Sequence, residues 1–264
     1  MPRWNWIAPL TTLAAVLAGA FLTLPIAALI ARAITNRAWE KLPDSPIPNA
    51  IMLSAVTTTA TLALALAFGT PLAFALARRR FPLKRLVNVA VELPIVLPPA
   101  VAGLALLIAF GRRGAIGAAL DDLGITLPFT TAAVVLAQTF VAAPFYIRAA
   151  QVAFASVPRE IEDAARVDGA DGAALFWYVT LPLSGRALSA GLVQCWARAL
   201  GEFGATILFA GSLQGRTQTM PLLIYNLIER DIDAAIWTGV LLIGLALAAL
   251  LIAGALRREG EREG

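Results

Sequence analysis

Residues 7–31 read IAPLTTLAAVLAGAFLTLPIAALIA, a run of twenty-five residues without a charge. An α-helix needs about 20 mostly apolar residues to cross the hydrocarbon core of a bilayer. The run exceeds the roughly 7–15-residue apolar core of a cleaved signal peptide, although Ala18-Gly19-Ala20 has the small-residue character of a cleavage site. Pro25 and scattered threonines are its interruptions. Such a segment belongs in lipid, and it sets the class of the chain as an all-α integral membrane protein.

Working outward, five more apolar runs follow: 50–77, 93–110, one from about 130 past 147, 187–210 and 234–256. Six transmembrane helices in a single domain over residues 1–264 is the expectation. The bulk composition agrees: 59% of residues are AVILMFWYC, 14% are charged and the mean hydropathy is +0.77. Soluble domains carry about 25% charged residues. Disorder is excluded, because it requires low hydrophobicity.

What is missing narrows the chemistry. There is no histidine, so no Ser-His or Cys-His dyad can form, and histidine-ligated zinc or haem is excluded. The single cysteine, Cys195, forms neither an intrachain disulfide nor a multi-cysteine metal site, and reads as a buried packing residue. The two lysines, Lys41 and Lys84, lie outside any G-x-x-x-x-G-K-[ST] string, so the chain has no P-loop for ATP. No cofactor, no metal and no catalytic residue is expected.

Loop charges set the orientation. Six spans put both termini on one side. That side collects thirteen Lys and Arg: Arg3; Arg78, Arg79, Arg80, Lys84 and Arg85; Arg148, Arg159, Arg166 and Arg186; Arg257, Arg258 and Arg262. The other side has seven: Arg32, Arg37, Lys41, Arg112, Arg113, Arg216 and Arg230. Both termini are therefore expected in the cytoplasm. The net charge of +4 records this bias and calls for no nucleic-acid partner.

The loop between the fourth and fifth runs, about 156–186, is the least membrane-like stretch. Residues 159–171 read REIEDAARVDGAD. Ser156 is placed to cap a helix, with Pro158 in its first turn and Glu160, Glu162 and Asp163 early, where the helix dipole favours negative charge. Gly169 supplies a left-handed stop. Asp171 is placed to cap a second short helix over 173–178, ended by Leu181-Pro182. The product is a helix–turn–helix outside the bilayer with an exposed corner at Val167–Asp171. It reads either as a solvated amphipathic loop or as a docking knob for a cytoplasmic partner.

Arg198 and Glu202 stand inside the fifth run. A charge at the bilayer centre costs about 2.5–3.5 kcal/mol on insertion scales, and the i,i+4 spacing lets the two neutralise each other. They are either a packing pair or part of a translocation pathway or gate, with Gly201 and Gly204 allowing close helix approach beside them. Gln138 and Gln194 are weaker candidates for the same lining. Thr57, Thr58, Thr59 and Thr61 read as back-bonded to their own helix. Pro94, Pro98 and Pro99 break the third run near its start, as a kink or as the inner end of a pathway.

Asp163-Ala164-Ala165, three residues, Gly169, nine residues and Val179-Thr180-Leu181-Pro182 resemble the E-A-A-x3-G-x9-I-x-L-P loop of bacterial ABC importer permeases. Asp163 stands for the family's Glu and Val179 for its Ile; Glu162 is a second candidate for the acidic role. Residues 92–99, ELPIVLPP, 198–206, RALGEFGAT, and 215–221, GRTQTMP, followed by a short surface helix over 222–229, resemble permeases for molybdate, tungstate and sulfate. The resemblance covers about residues 50–256. It implies a type I ABC importer permease: a homodimer in the inner membrane with a pathway at its two-fold axis. A separate cytoplasmic ATPase subunit would dock on Glu162, Asp163, Ala164, Ala165, Val167, Asp168, Gly169, Ala170 and Asp171. A periplasmic or extracellular binding protein would deliver the oxyanion. Molybdate is the first expectation, with sulfate, thiosulfate or tungstate as alternatives. A secondary transporter is the alternative from another class, and no convincing internal repeat supports it.

Overall fold

The computed structural model of the chain describes residues 7–41 and 46–262. The long helices are α1 (Ile7–Thr35), α2 (Ile47–Leu64) continued through a wide π turn into α3 (Thr70–Arg78), α4 (Lys84–Val96) and α5 (Pro99–Phe110). After the short α6 (Gly117–Asp122) come α7 (Thr131–Ser156), α8 (Arg159–Val167) and α9 (Gly172–Leu175). A second π turn leads into α10 (Leu181–Leu200), followed by α11 (Gly204–Phe209), α12 (Met220–Ile228) and α13 (Ile232–Arg262). Arg3 lies outside the described residues, as do the side chains of Lys41, Arg257, Arg258 and Arg262.

α7 is the axis of the bundle. It packs against α2, α3, α4, α5, α10 and α11. Six of its thirteen buried positions are alanine, Ala133, Ala137, Ala142, Ala143, Ala150 and Ala153, which lets neighbouring backbones come close in the absence of a hydrophobic drive between helices in lipid. Tyr146 and Phe154 fill the wider spaces and are fully buried. Cys195 is buried in the same core, as expected. α1 has no buried residue across its apolar window and packs on α13.

Among the described residues, four helical stretches are long and apolar enough to span a bilayer: Pro9–Thr35, Ile47–Arg78, Thr131–Ser156 and Ile232–Leu251. The count rises to five if α4 and α5 form one span. The expected third and fifth spans are thus not simple rods. α4 and α5 meet at a bend of 119°, so they cannot both stand near the bilayer normal. The break falls at Leu97-Pro98, where Pro98 caps α5 in an extended conformation; Pro94, expected to share in it, lies inside α4. The fifth run breaks at Gly201, and only six residues of helix follow in α11.

Both π turns have a readable cause. One covers Ala65–Gly69 and precedes Thr70-Pro71; the other covers Phe176–Thr180 and precedes Leu181-Pro182. A proline lacks the amide hydrogen and its ring collides with the carbonyl four residues earlier. Those carbonyls belong to Ala67 and Tyr178, inside the two widened turns. Leu181-Pro182 therefore does not end a helix, contrary to the expectation from sequence. The helix passes through it.

Candidate functional site

The loop after α7 forms the expected corner with changed details. Ser156 is the last residue of α7, and its hydroxyl donates to the Ala153 carbonyl at 2.8 Å instead of capping α8. The N-cap of α8 is Pro158, which is extended. Gly169 has φ +96°. Its N–H donates to the Arg166 carbonyl at 3.1 Å, and the Ala170 N–H donates to the Ala165 carbonyl at 2.9 Å. This paired 5→2 and 6→1 arrangement is a Schellman stop. Asp171 accepts from the Ala174 N–H at 2.7 Å and starts α9, as expected. Asp163, Ala164, Val167, Asp168, Gly169 and Asp171 are exposed, with Ala165 and Ala170 half-buried; Val167 is 88% exposed. Asp163 pairs with Arg166 on its own helix.

Glu162 is the exception. It is buried, and its Oε1 lies 2.8 Å from Arg78 Nη2. The Thr180 hydroxyl donates to the same oxygen at 3.1 Å, and Arg78 Nη2 also donates to the Val157 carbonyl at 2.9 Å. Four pieces of chain meet here: the end of α3, the end of α7, α8 and the π turn leading into α10. Glu162 therefore does not belong to the exposed docking face expected from sequence. It fastens the corner to the bundle. By sequence, Arg78 is one more loop charge. A buried carboxylate needs a buried cation, but nothing in a single sequence says which arginine.

The second group lies where the two breaks meet. Arg198 Nη2 is 2.6 Å from Glu202 Oε2, and Glu202 Oε1 accepts the Ala205 N–H at 2.7 Å. Glu202 is 1% exposed, whereas the Arg198 side chain is 28% exposed. The carboxylate thus neutralises the arginine and holds the start of α11. A Cβ on Gly204 would fall 2.6 Å from Pro99 Cβ, and one on Gly103 would fall 2.7 Å from the Ala205 carbonyl. α5 and α11 touch backbone to backbone, with Pro99 at the contact and Pro98 just before it. Gly201 has no such neighbour; it ends α10 with φ −85° and ψ 7°. Gly103, which no motif singles out, makes the second close approach between α5 and α11, against Ala205 and Leu208, beside the Gly204–Pro99 contact.

The remaining candidates divide. Thr57 and Thr58 bond back to the Ser54 carbonyl at 3.4 and 2.7 Å. Thr61 instead donates to Gln138 Oε1 at 3.3 Å, so Gln138 is a buried α2–α7 tie and not a lining residue. Gln194 is exposed on α10. The short helix after the GRTQTMP stretch is α12; it buries Met220, Leu222 and Leu223 against the bundle and leaves Tyr225 and Ile228 exposed on its other face.

The bundle, the broken helices and the capped extramembrane corner define a polytopic membrane transport subunit. The family described as the binding-protein-dependent transport system inner membrane component matches residues 69–258, and this chain belongs to it. It is an ABC importer permease. The chain is 41% identical over 255 residues to the molybdenum transport system permease protein ModB of Mycobacterium tuberculosis, covering 97% of this chain and 94% of that one. It is 34% identical over 225 residues to the sulfate transport system permease protein CysW of Synechococcus elongatus, covering 85% and 79%. Among solved structures it resembles a bacterial alginate ABC transporter in complex with its alginate pentasaccharide-bound periplasmic protein, with TM-score 0.80 and 18% identity over 97% of this chain and 95% of that one.

Proposed function

We propose that this chain moves a tetrahedral oxyanion, molybdate first, as a homodimer driven by a separate cytoplasmic ATPase and supplied by a binding protein on the opposite face. Both termini, the Arg78–Arg85 segment and the α8–α9 corner lie in the cytoplasm. The carrying observation is the exposed, Schellman-capped corner fastened by Arg78–Glu162 to α3, α7 and the start of α10. A rigid corner tied to three membrane helices converts a push by a docked ATPase into helix movement. The similarity to a molybdenum permease over nearly the whole chain supports the oxyanion. Arg198, paired with Glu202 but with part of its side chain open, offers an oxyanion guanidinium N–H donors, and the adjoining Pro99–Gly204 contact is a seal between two broken helices. No covalent bond is made or broken on this subunit.

The test is uptake by proteoliposomes holding the permease, its ATPase and its binding protein. ATP-dependent molybdate uptake that stops when either partner is left out is the expected result. Uptake by the permease alone, driven by an ion gradient, would make it a secondary transporter. The similarity to a sulfate permease supports a second reading, in which sulfate is taken up and molybdate is not.

A further inference from the structure

A groove of about 920 Å³ runs along one side of the bundle. One wall is a stripe on α2, the π turn and α3, from Ala63 through Leu66, Pro71 and Phe74 to Arg79; the other includes Trp177 and Leu188. Sixteen residues separate Ala63 from Arg79, about 24 Å at 1.5 Å per residue. Ala63 stands at the middle of the Ile47–Arg78 span, so the groove covers half of that span, close to the depth of one leaflet with its headgroups, about 20–22 Å. The hydroxyls in its wall, Thr70 and Tyr146, bond each other at 2.7 Å. The wall thus offers hydrocarbon contacts and no unsatisfied hydroxyl.

The surface end has the opposite character. Arg79 closes the groove. Beyond it Arg80, Lys84 and Arg85 line a second recess with Phe81, Leu83 and Asn88. Arg78 is engaged by Glu162, and Lys84 donates to the Arg79 carbonyl at 3.1 Å. Among the described residues, Arg79, Arg80 and Arg85 have no acidic partner. Trp177 and Tyr178 are 62% and 82% exposed at the same end, as expected of aromatics at a membrane surface.

We propose that the groove holds an anionic phospholipid, its acyl chain along α2 and α3 and its headgroup phosphate at Arg79, within the basic segment that continues through Arg80, Lys84 and Arg85. Basic pockets between membrane helices recognise anionic headgroups in this way.

Native mass spectrometry of the detergent-purified chain tests it, with phosphatidylglycerol, phosphatidylcholine of the same acyl chains and free glycerol 3-phosphate as probes. The wild type should retain phosphatidylglycerol about tenfold over phosphatidylcholine, and glycerol 3-phosphate should not compete. Arg79→Gln with Arg80→Gln should bring the two lipids to parity. Ala67→Trp, which keeps every charge and fills the groove, should lose both. Equal retention of the two lipids by the wild type overturns the proposal. Competition by glycerol 3-phosphate reduces the site to one for a free anion and overturns it too. Self-crosslinking of Ala67→Cys in membranes, on a Cys195→Ala background, makes the groove an interface between copies and also overturns it.

Discussion

Arg78 Nη2 stands 2.8 Å from Glu162 Oε1, with both side chains nearly withdrawn from solvent. The pair joins a membrane-spanning segment to a helix that lies outside it. Removing one partner of a buried ion pair leaves an uncompensated charge and costs about 3–5 kcal/mol, whereas an apolar replacement of both is often neutral. Glu162→Ala should therefore lower the unfolding temperature of the detergent-solubilised protein. Arg78→Met with Glu162→Leu should restore it. The restored protein should still hydrolyse ATP with its ATPase while importing less, because the corner has lost its fastening. An unchanged melting temperature in Glu162→Ala would remove the pair from the fold's stability.

Gly169 carries φ +96°, and no atom lies within 4 Å of the place a Cβ would take. Substitution there is a backbone question with no steric conflict around it. Gly169→Asn should cost little, since asparagine tolerates the left-handed region, and Gly169→Ala should cost about 1 kcal/mol. Gly169→Trp should insert normally but fail to retain the ATPase in a pull-down. Undiminished recovery with the tryptophan variant would place docking elsewhere.

Topology is open to a direct chemical test. Arg78 meets the end of α7, while Thr131 at its start donates to the Arg216 carbonyl at 2.9 Å. The two basic loops and the Arg216 loop therefore sit at opposite ends of α7. On a Cys195→Ala background, cysteines at Arg80 and Asp171 should be shielded from an impermeant thiol reagent in intact cells, and one at Gln214 should label. The reverse pattern inverts the orientation.

Much of this arrangement can be read from the residues. Long uncharged runs mark α1, α2–α3, α7 and α13, because spanning lipid demands length and apolarity together. Gly169 and Asp171 declare their caps locally, and the structure has both. What the residues conceal is long-range. Glu162 and Arg78 are eighty-four positions apart in sequence, and neither its own neighbours nor its period marks Glu162 as buried. Leu181-Pro182 looks like a terminus because a proline normally stops a helix; only the π turn before it shows that the backbone widened instead. Ser156 looks like a cap, yet its helix simply runs on to include it. Gly103 resembles any small residue in an apolar run until α11 is brought against it.

The α5–α11 contact makes a packing prediction. A methyl on Gly204 would lie 2.6 Å from Pro99 Cβ, closer than two carbons can sit. Overpacking of this kind costs about 1–3 kcal/mol. Gly204→Ala should lower the melting temperature, and, if the contact is a seal, raise ATP hydrolysis not matched by uptake. Gly185→Ala, in α10 with open space around it, is the control and should behave as wild type. Equal melting temperatures for both variants would show that the contact yields freely.

Arg198 and Glu202 allow packing and transport to be separated. Arg198→Leu leaves Glu202, 1% exposed, without its cation. Glu202→Leu leaves Arg198 unpaired and takes the acceptor from the Ala205 N–H. Arg198→Leu should destabilise by about 3–5 kcal/mol, the cost of an orphaned buried charge, and Glu202→Leu by less, because the arginine it leaves is partly open to solvent. A double leucine variant confounds the question, because the start of α11 also loses its acceptor. Arg198→Leu with Glu202→Gln is the cleaner double: no charge remains, and the glutamine oxygen can still accept from Ala205. This protein should assemble and melt as wild type. The partly exposed arginine, at the junction of two broken helices, predicts that it nonetheless takes up oxyanion poorly while its ATPase keeps turning over. The measurements are uptake and ATP hydrolysis in proteoliposomes for wild type, both singles and the double, with assembly checked by size exclusion. Full uptake with tight coupling in the double variant would reduce the pair to packing, since nothing but the fold would then have needed it.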